Sequence, residues 1–284
     1  MSGWKEYFDN PHSLKHYVIH TGNVHMAGNI HFNRKSPGFK QFPADKRFNP
    51  VYAHLIEHPE KGYVLMDTGL HSSFADRSSG NIGYLLGRII KTKSEAGMDV
   101  VSQLKKIHVT PDQIRYIVLS HLHADHPSAL PLFRQNRSVK VYADQDELQA
   151  ANSVFGLFQG YVKSHVADFD LFPIKYSFQV APFDQVLDFF GDGSIFIVKT
   201  PGHTPGHVSA ILNMIDGPVI LTFDAAHRRA NIDENIPPKG EYSSALKSIE
   251  NIKTFINAFP DTRVFYGHDP DQLKTLKFIP EFYS

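Results

Sequence analysis

Ser120-His121-Leu122-His123-Ala124-Asp125-His126 is the stretch on which the reading of this chain turns. It sets three imidazoles and one carboxylate within six consecutive residues. Imidazole nitrogen and carboxylate oxygen are together the donors preferred by zinc and neighbouring divalent transition metals. Histidines this close would gain little from packing and would repel one another when protonated, so a metal-binding reading outweighs a packing one. His121 and His123 can lean toward one metal, while Asp125 and His126 reach a second beside it. Two metals held this way can generate a nucleophilic hydroxide near neutral pH.

Just before the run, Tyr116-Ile117-Val118-Leu119 is a continuously apolar segment of buried-strand character. A strand of this kind places the ligands on a rigid support. Three further segments repeat the pattern of metal-type residues after a predicted strand. Thr200-Pro201-Gly202-His203-Thr204-Pro205-Gly206-His207 follows Ile195 to Lys199, and its Pro and Gly residues force a tight loop. Asp224 ends the strand Val219 to Phe223, and His268 follows Arg263-Val264-Phe265-Tyr266. Taken alone, Asp224 reads as a turn cap and His268 as an ordinary surface histidine. Their shared position after strands gives them weight.

Other strands are expected at Tyr17 to His20, Val51 to Ile56, Tyr63 to Met66, Val139 to Tyr142, Val186 to Phe190 and Val208 to Leu212. Helical spacing runs through Ile82 to Ile90, Met98 to Ile107, Asp144 to Ser153 (with Asp144 as N-cap) and Ser243 to Phe259. His31 to Pro50 reads as a long loop, and Phe155 to Phe172 as aromatic-rich and irregular. The overall order is strands then helices, twice over, with polar clusters at strand ends, which suits two sheets packed face to face with helices outside. We expect one domain spanning residues 1–284.

Basic and acidic residues balance at 29 each, which argues against a nucleic-acid partner. There are no cysteines, so any metal must be held by His, Asp or Glu. The first residues lack the basic-then-apolar pattern of a signal peptide, and no apolar run is long enough to span a bilayer. A cytoplasmic protein with no membrane partner is expected. The oligomeric state is open, a homodimer included.

His121-Leu122-His123-Ala124-Asp125-His126 resembles the HxHxDH signature of the metallo-β-lactamase superfamily, and His203, Asp224 and His268 fall in the order that superfamily uses. The resemblance begins at Asp67-Thr68-Gly69 and covers nearly the whole chain. Within the superfamily the chain looks most like the N-acyl homoserine lactonases, the quorum-quenching enzymes. Thr222-Phe223-Asp224-Ala225, Ser243 to Ile249, Phe265 to Asp269 and Phe278 to Tyr283 carry that narrower likeness.

The resemblance implies an α/β fold, the four-layer αβ/βα sandwich with two mixed sheets. It implies two Zn²⁺ per chain, other divalent transition metals being able to replace zinc. His121, His123 and His203 would hold one ion, Asp125, His126 and His268 the other, and Asp224 would bridge them. His207 would then be a hydrogen-bonding neighbour, and Asp67 would support the ligand loop. The implied reaction is opening of an acyl homoserine lactone by hydroxide held between the metals, with Asp125 passing a proton to the leaving alkoxide.

One position departs from the pattern. The lactonases commonly carry a tyrosine three residues after the bridging aspartate, where this chain has His227. An imidazole can donate a hydrogen bond as a phenol does, so His227 is a candidate catalytic assistant that stabilises the oxyanion. Met26, Phe32, Phe155, Phe158 and Tyr161 are candidates for an apolar wall against an acyl chain. The same motif also serves a hydrolase of a different lactone or of a glyoxalase-II-like thioester. A zinc-containing small-molecule binding protein fits less well, because structural zinc sites are closed and often thiolate-rich.

Overall fold

A computed structural model describes residues 2–42, 46–88 and 90–284. Thirteen strands among these residues form two mixed sheets. The strands are β1 (Lys15–Ala27), β2 (Lys46–His58), β3 (Gly62–Met66), β4 (Thr92–Lys93), β5 (Ile114–Val118), β6 (Lys140–Ala143), β7 (Leu171–Pro173), β8 (Phe178–Val180), β9 (Phe183–Asp188), β10 (Ile195–Lys199), β11 (Val208–Met214), β12 (Gly217–Phe223) and β13 (Arg263–Tyr266). The first sheet has seven strands in the order β4-β1-β2-β3-β5-β6-β7, and the second has six in the order β13-β12-β11-β10-β9-β8. β3, β5, β6 and β7 run parallel, as do β12 and β13, and the other pairs are antiparallel.

Period-two alternation places each side chain in one of two apolar layers. In β10, Ile195 and Ile197 point into the core between the sheets, where they meet Val18, Ile56, Val64 and Val118. Phe196 and Val198 point the other way, into a layer covered by Trp4, Ile249, Ile252 and Phe255. The first helix, α1 (Ser2–Phe8), supplies Trp4 to that outer layer. On the outer face of the first sheet, Ala53, Leu55, Leu65 and Ile117 pack with Val100 and Leu104. Helices therefore cover both outer faces, giving the expected four layers.

The remaining helices are α2 (Gly28–His31), α3 (Tyr84–Gly87), α4 (Val100–Leu104), α5 (Gln145–Asn152), α6 (Arg229–Asp233) and α7 (Tyr242–Ala258). Asp144 caps α5 as its sequence suggests, its side chain accepting from Asp146 N. Two expectations need correction. Ile82 to Ile90 forms only the short α3, because Gly83 at φ 81° interrupts the chain before it; Ile89 lies outside the described residues. The supposed loop up to Pro50 ends earlier, with β2 starting at Lys46. Pro50 is tolerated because β3 pairs only with His54 to His58, so this part of β2 has a neighbour on one side alone.

Candidate metal centre

The cluster gathers where strands end. β3 leads into Asp67, β5 into His121 to His126, β10 into His203, β12 into Asp224 and β13 into His268. Backbone turns sharply at two of these exits, with Asp67 at φ 57° and Phe223 at φ 45°. Such left-handed backbone at non-glycine residues costs about 1–3 kcal/mol each and persists where the surroundings enforce it. At Phe223 it swings Asp224 out of the strand direction and into the cluster. Gly240 and Gly267 let backbone pass close by. A Cβ on Gly240 would lie 2.0 Å from Gly202 O, and one on Gly267 would lie 2.6 Å from Asp224 Oδ1.

All seven residues expected to hold metal come together. His121, His123 and His203 form one group, Asp125, His126 and His268 a second, and His121, His126 and Asp224 a third between them, each with its donor atoms within 4.8 Å. Asp224 lies centrally. Its Oδ2 is 3.3 Å from His203 Nε2, and its Oδ1 is 3.1 Å from His268 Nε2 and 3.5 Å from His126 Nε2.

Outer hydrogen bonds determine which ring nitrogen is bare. A carboxylate or carbonyl oxygen only accepts, so the nitrogen facing it carries the proton. His126 Nδ1 donates to Asp67 Oδ2 at 2.8 Å, His268 Nδ1 to Pro50 O at 2.7 Å, and His203 Nδ1 to Lys239 O at 3.2 Å. Each leaves a lone pair on Nε2, directed inward. His121, His126 and His268 have Nε2 buried without a hydrogen-bond partner, as are Asp125 Oδ2 and Asp224 Oδ1. Buried polar atoms are normally paired, so five orphaned donor-type atoms converging on one place fit a site for cations. The donor set is all imidazole and carboxylate, which suits zinc or a similar divalent ion.

Electrostatics divide the histidines into two sets. Burial, reinforced by neighbouring histidines, pushes His121 well below the ordinary imidazole range, and burial takes His123 down to about 4. Both rings are therefore neutral at pH 7, the form that ligates. Burial would do the same to His126 and His268, but the carboxylates of Asp224, Asp67 and Asp125 overcome it at His126, and those of Asp224 and Asp125 at His268. Both are raised. Asp224 is held well below the usual carboxylate range, because His268, His227, His126 and His203 outweigh its burial.

His207 stays outside the cluster. Its Nδ1 donates to Thr200 O at 3.1 Å and its Nε2 accepts from Asp224 N at 3.0 Å, so both nitrogens are committed. His227 is fully buried, with Nε2 at 3.0 Å from Asp224 Oδ2 and Nδ1 at 3.0 Å from His31 Nδ1. The sequence reading missed His31, which sits in α2 far away in the chain; nothing in its local sequence marks it. It also missed Glu147, a buried carboxylate beneath the histidine loops.

A cavity of about 790 Å³ opens onto the cluster. His123, Asp125, His203, Asp224 and His227 form its polar end, and Val24, Met26, Ile30, Phe158 and Tyr161 its apolar walls. Three of the five expected wall residues are thus present. Of these, Phe158 sits at the rim and is 88% exposed, while Phe155, 68% exposed, does not line the cavity. Phe32 faces a separate cavity of about 860 Å³ beside Arg229 and Lys253, where it stacks on Phe42 with ring centroids 3.8 Å apart.

A sequence profile of the Metallo-beta-lactamase superfamily matches residues 47–268, from β2 through the last candidate ligand. This chain belongs to that superfamily. It is 30% identical over 243 residues to N-acyl homoserine lactonase AttM of Agrobacterium fabrum, covering 83% of this chain and 88% of the relative. N-acyl homoserine lactonase AiiA of Bacillus thuringiensis subsp. kurstaki is 29% identical over 236 residues, 82% of this chain and 86% of that one. Among solved structures, an AiiA variant with N-decanoyl-L-homoserine at its active site superposes with a TM-score of 0.77 at 25% identity, over 96% of this chain and all of that one. An N-acyl homoserine lactone hydrolase with N-hexanoyl-L-homoserine at its catalytic metal centre gives the same values. The chain is thus a metallo-β-lactamase-fold hydrolase resembling the lactonases, with His and Asp clusters consistent with a dinuclear metal site. No helix of the described residues is long and apolar enough to cross a membrane.

Proposed function

We infer that this protein opens the lactone ring of N-acyl homoserine lactones at a dinuclear zinc centre. The observation that carries this reading is the cavity itself: apolar walls lead to two adjacent donor groups with Asp224 lying between them. Likeness to lactonases that hold acyl-homoserine products supports the substrate class.

His121, His123 and His203 would hold one ion and Asp125, His126 and His268 the other, with Asp224 common to both. Divalent ions bound there supply an acidic water and polarise an ester carbonyl. The chain's own residues do the rest. Val24, Met26 and Ile30 take the acyl chain and exclude water, with Phe158 at the rim, leaving the ring at the polar end. Asp125 lines the cavity, so while Oδ2 would hold the ion, its other carboxylate oxygen is the one to carry a proton to the leaving alkoxide. His227 Nε2–H, directed at Asp224 Oδ2, fixes the carboxylate that both donor groups use. In this reading it steadies Asp224 and lies at the edge of the site, where oxyanion charge develops.

A pH-indicator assay over homoserine lactones of increasing chain length tests the reading, with and without chelator and with a thioester beside them. Chelator-sensitive lactone turnover is expected to exceed thioester turnover. Preference for the thioester would move the assignment to that chemistry, and metal-free protein with full activity would end the metal scheme.

A further inference from the structure

Glu147, in the first turn of α5, is fully buried although it is a carboxylate. Burial alone raises its pKa, and the hydrogen bonds it accepts partly offset that. Those bonds come from two separate loops. Oε1 accepts from Leu122 N at 2.8 Å, between His121 and His123. Oε2 accepts from Gly206 N at 3.2 Å, in the loop that carries His203. The Tyr161 hydroxyl, on the cavity wall, adjoins the same carboxylate.

Gly206 shows how closely this contact is fitted. A Cβ there would lie 2.3 Å from Glu147 N and 2.5 Å from Glu147 Cβ, both closer than atoms can approach. Only glycine lets the His203 loop reach the helix. Asp125 and His126 follow in the same loop as Leu122, but His126 has its own anchor in Asp67 and His268 in Pro50 O.

We propose that Glu147 is a positioning residue that fixes the distance between the two histidine loops, so that His121, His123 and His203 converge on one ion. The proposal rests on the metal reading of those residues. A carboxylate suits this role, because one rigid group offers two acceptors to two backbone N–H donors. Alanine leaves both donors buried and unpaired. Glutamine keeps the shape but turns a donor toward one loop.

The test is cobalt uptake by wild-type, Glu147→Gln and Gly206→Ala proteins, by elemental analysis and visible d–d absorption, with circular dichroism for folding. Wild type is expected to take two ions. Glu147→Gln is expected to fold, keep one ion, and lose affinity for the other by about 10–100-fold, the usual effect of losing a ligand-orienting partner. Its spectrum should lose the contribution of the three-histidine site alone. Gly206→Ala, which pushes the loop off the helix, should show the same selective loss and decides the matter if Glu147→Gln does not fold. Two tightly held ions and a wild-type spectrum in the folded variants would overturn the positioning role by itself. Wild-type protein taking up no cobalt would instead overturn the metal reading, and the proposal with it.

Discussion

Replacing Asp67 with asparagine isolates the proton that sets the orientation of His126. Asp67 Oδ1 accepts from Ser120 N at 2.8 Å, while Oδ2 accepts from Ser120 Oγ at 2.7 Å and His126 Nδ1 at 2.8 Å. Asparagine fits the same space and keeps one oxygen. Its NH₂ must then face either His126 Nδ1–H or Ser120 N–H, donor against donor. The backbone proton cannot move, but the imidazole proton can. His126 relieves the clash by moving its proton to Nε2, the nitrogen directed at Asp125 and Asp224. A protonated Nε2 cannot ligate. We expect about 10–100-fold weaker binding of the second ion, or about 1.4–2.7 kcal/mol. In chelator the lost charge-assisted bond should cost about 1.5–3 kcal/mol of folding stability. Competition with a chromophoric chelator measures the first effect, and urea melts in EDTA the second. Asp67→Ala is the control: it leaves room for water and frees the ring to keep its proton on Nδ1. Asp67→Asn should therefore bind the second ion more weakly than Asp67→Ala. Equal or reversed affinities would refute the tautomer argument.

Four other outcomes follow from the same structure. Burial holds His54 down at about 3 against an ordinary 6.5, so its neutral form contributes stability above pH 6.5 that is lost as pH falls toward 3. From these two values, urea melts in EDTA should show wild type losing about 2 kcal/mol more than a His54→Phe protein between pH 7 and pH 5. Gly240→Ala drives a methyl into Gly202 O and His203 Cα and should cut turnover at least about tenfold by displacing that loop, read as kcat at saturating lactone. Met26→Ala removes apolar wall and should raise KM for long-chain lactones several-fold more than for short ones, at about 0.8 kcal/mol per buried CH₂ lost. His227→Ala leaves Asp224 Oδ2 and His31 Nδ1 short of a partner, and should lower both the melting temperature and kcat, by about 1–3 kcal/mol in stability; His227→Tyr should recover part of the kcat.

Much of the site was legible because ligands follow apolar strands, and strands announce themselves. Ile195–Lys199 is a strand as its sequence suggests, and the exits to His203, Asp224 and His268 follow from the same pattern. Short elements were less visible. Thr92–Lys93 and Phe178–Val180 have too few residues to establish a period, and form because neighbouring strands offer them an edge. Phe155 and Phe158 illustrate another limit. They are three residues apart, equally apolar and both exposed, at 68% and 88%, yet only Phe158 reaches the mouth of the cavity, because the 3-10 turn Gly156–Gln159 intervenes. Aromatic content alone does not carry direction.

The contact between His31 and His227 shows what composition could not supply. Asp224, held well below the usual carboxylate range, accepts at Oδ2, so His227 Nε2 donates. Burial pushes His227 below its ordinary value, so the ring is neutral at pH 7 and its Nδ1 is bare. His31 Nδ1, 3.0 Å away, must then supply the proton, which leaves His31 Nε2 as a buried lone pair without a partner. The opposite tautomers would pair that nitrogen no better and would set a bare His227 Nε2 against a carboxylate. The arrangement with the orphan on His31 is therefore the cheaper one. It moves the unpaired nitrogen away from the cluster and presents an N–H donor to Asp224. The donor that His227 offers to Asp224 is therefore fixed by a second histidine, remote in sequence, that pairs its other ring nitrogen.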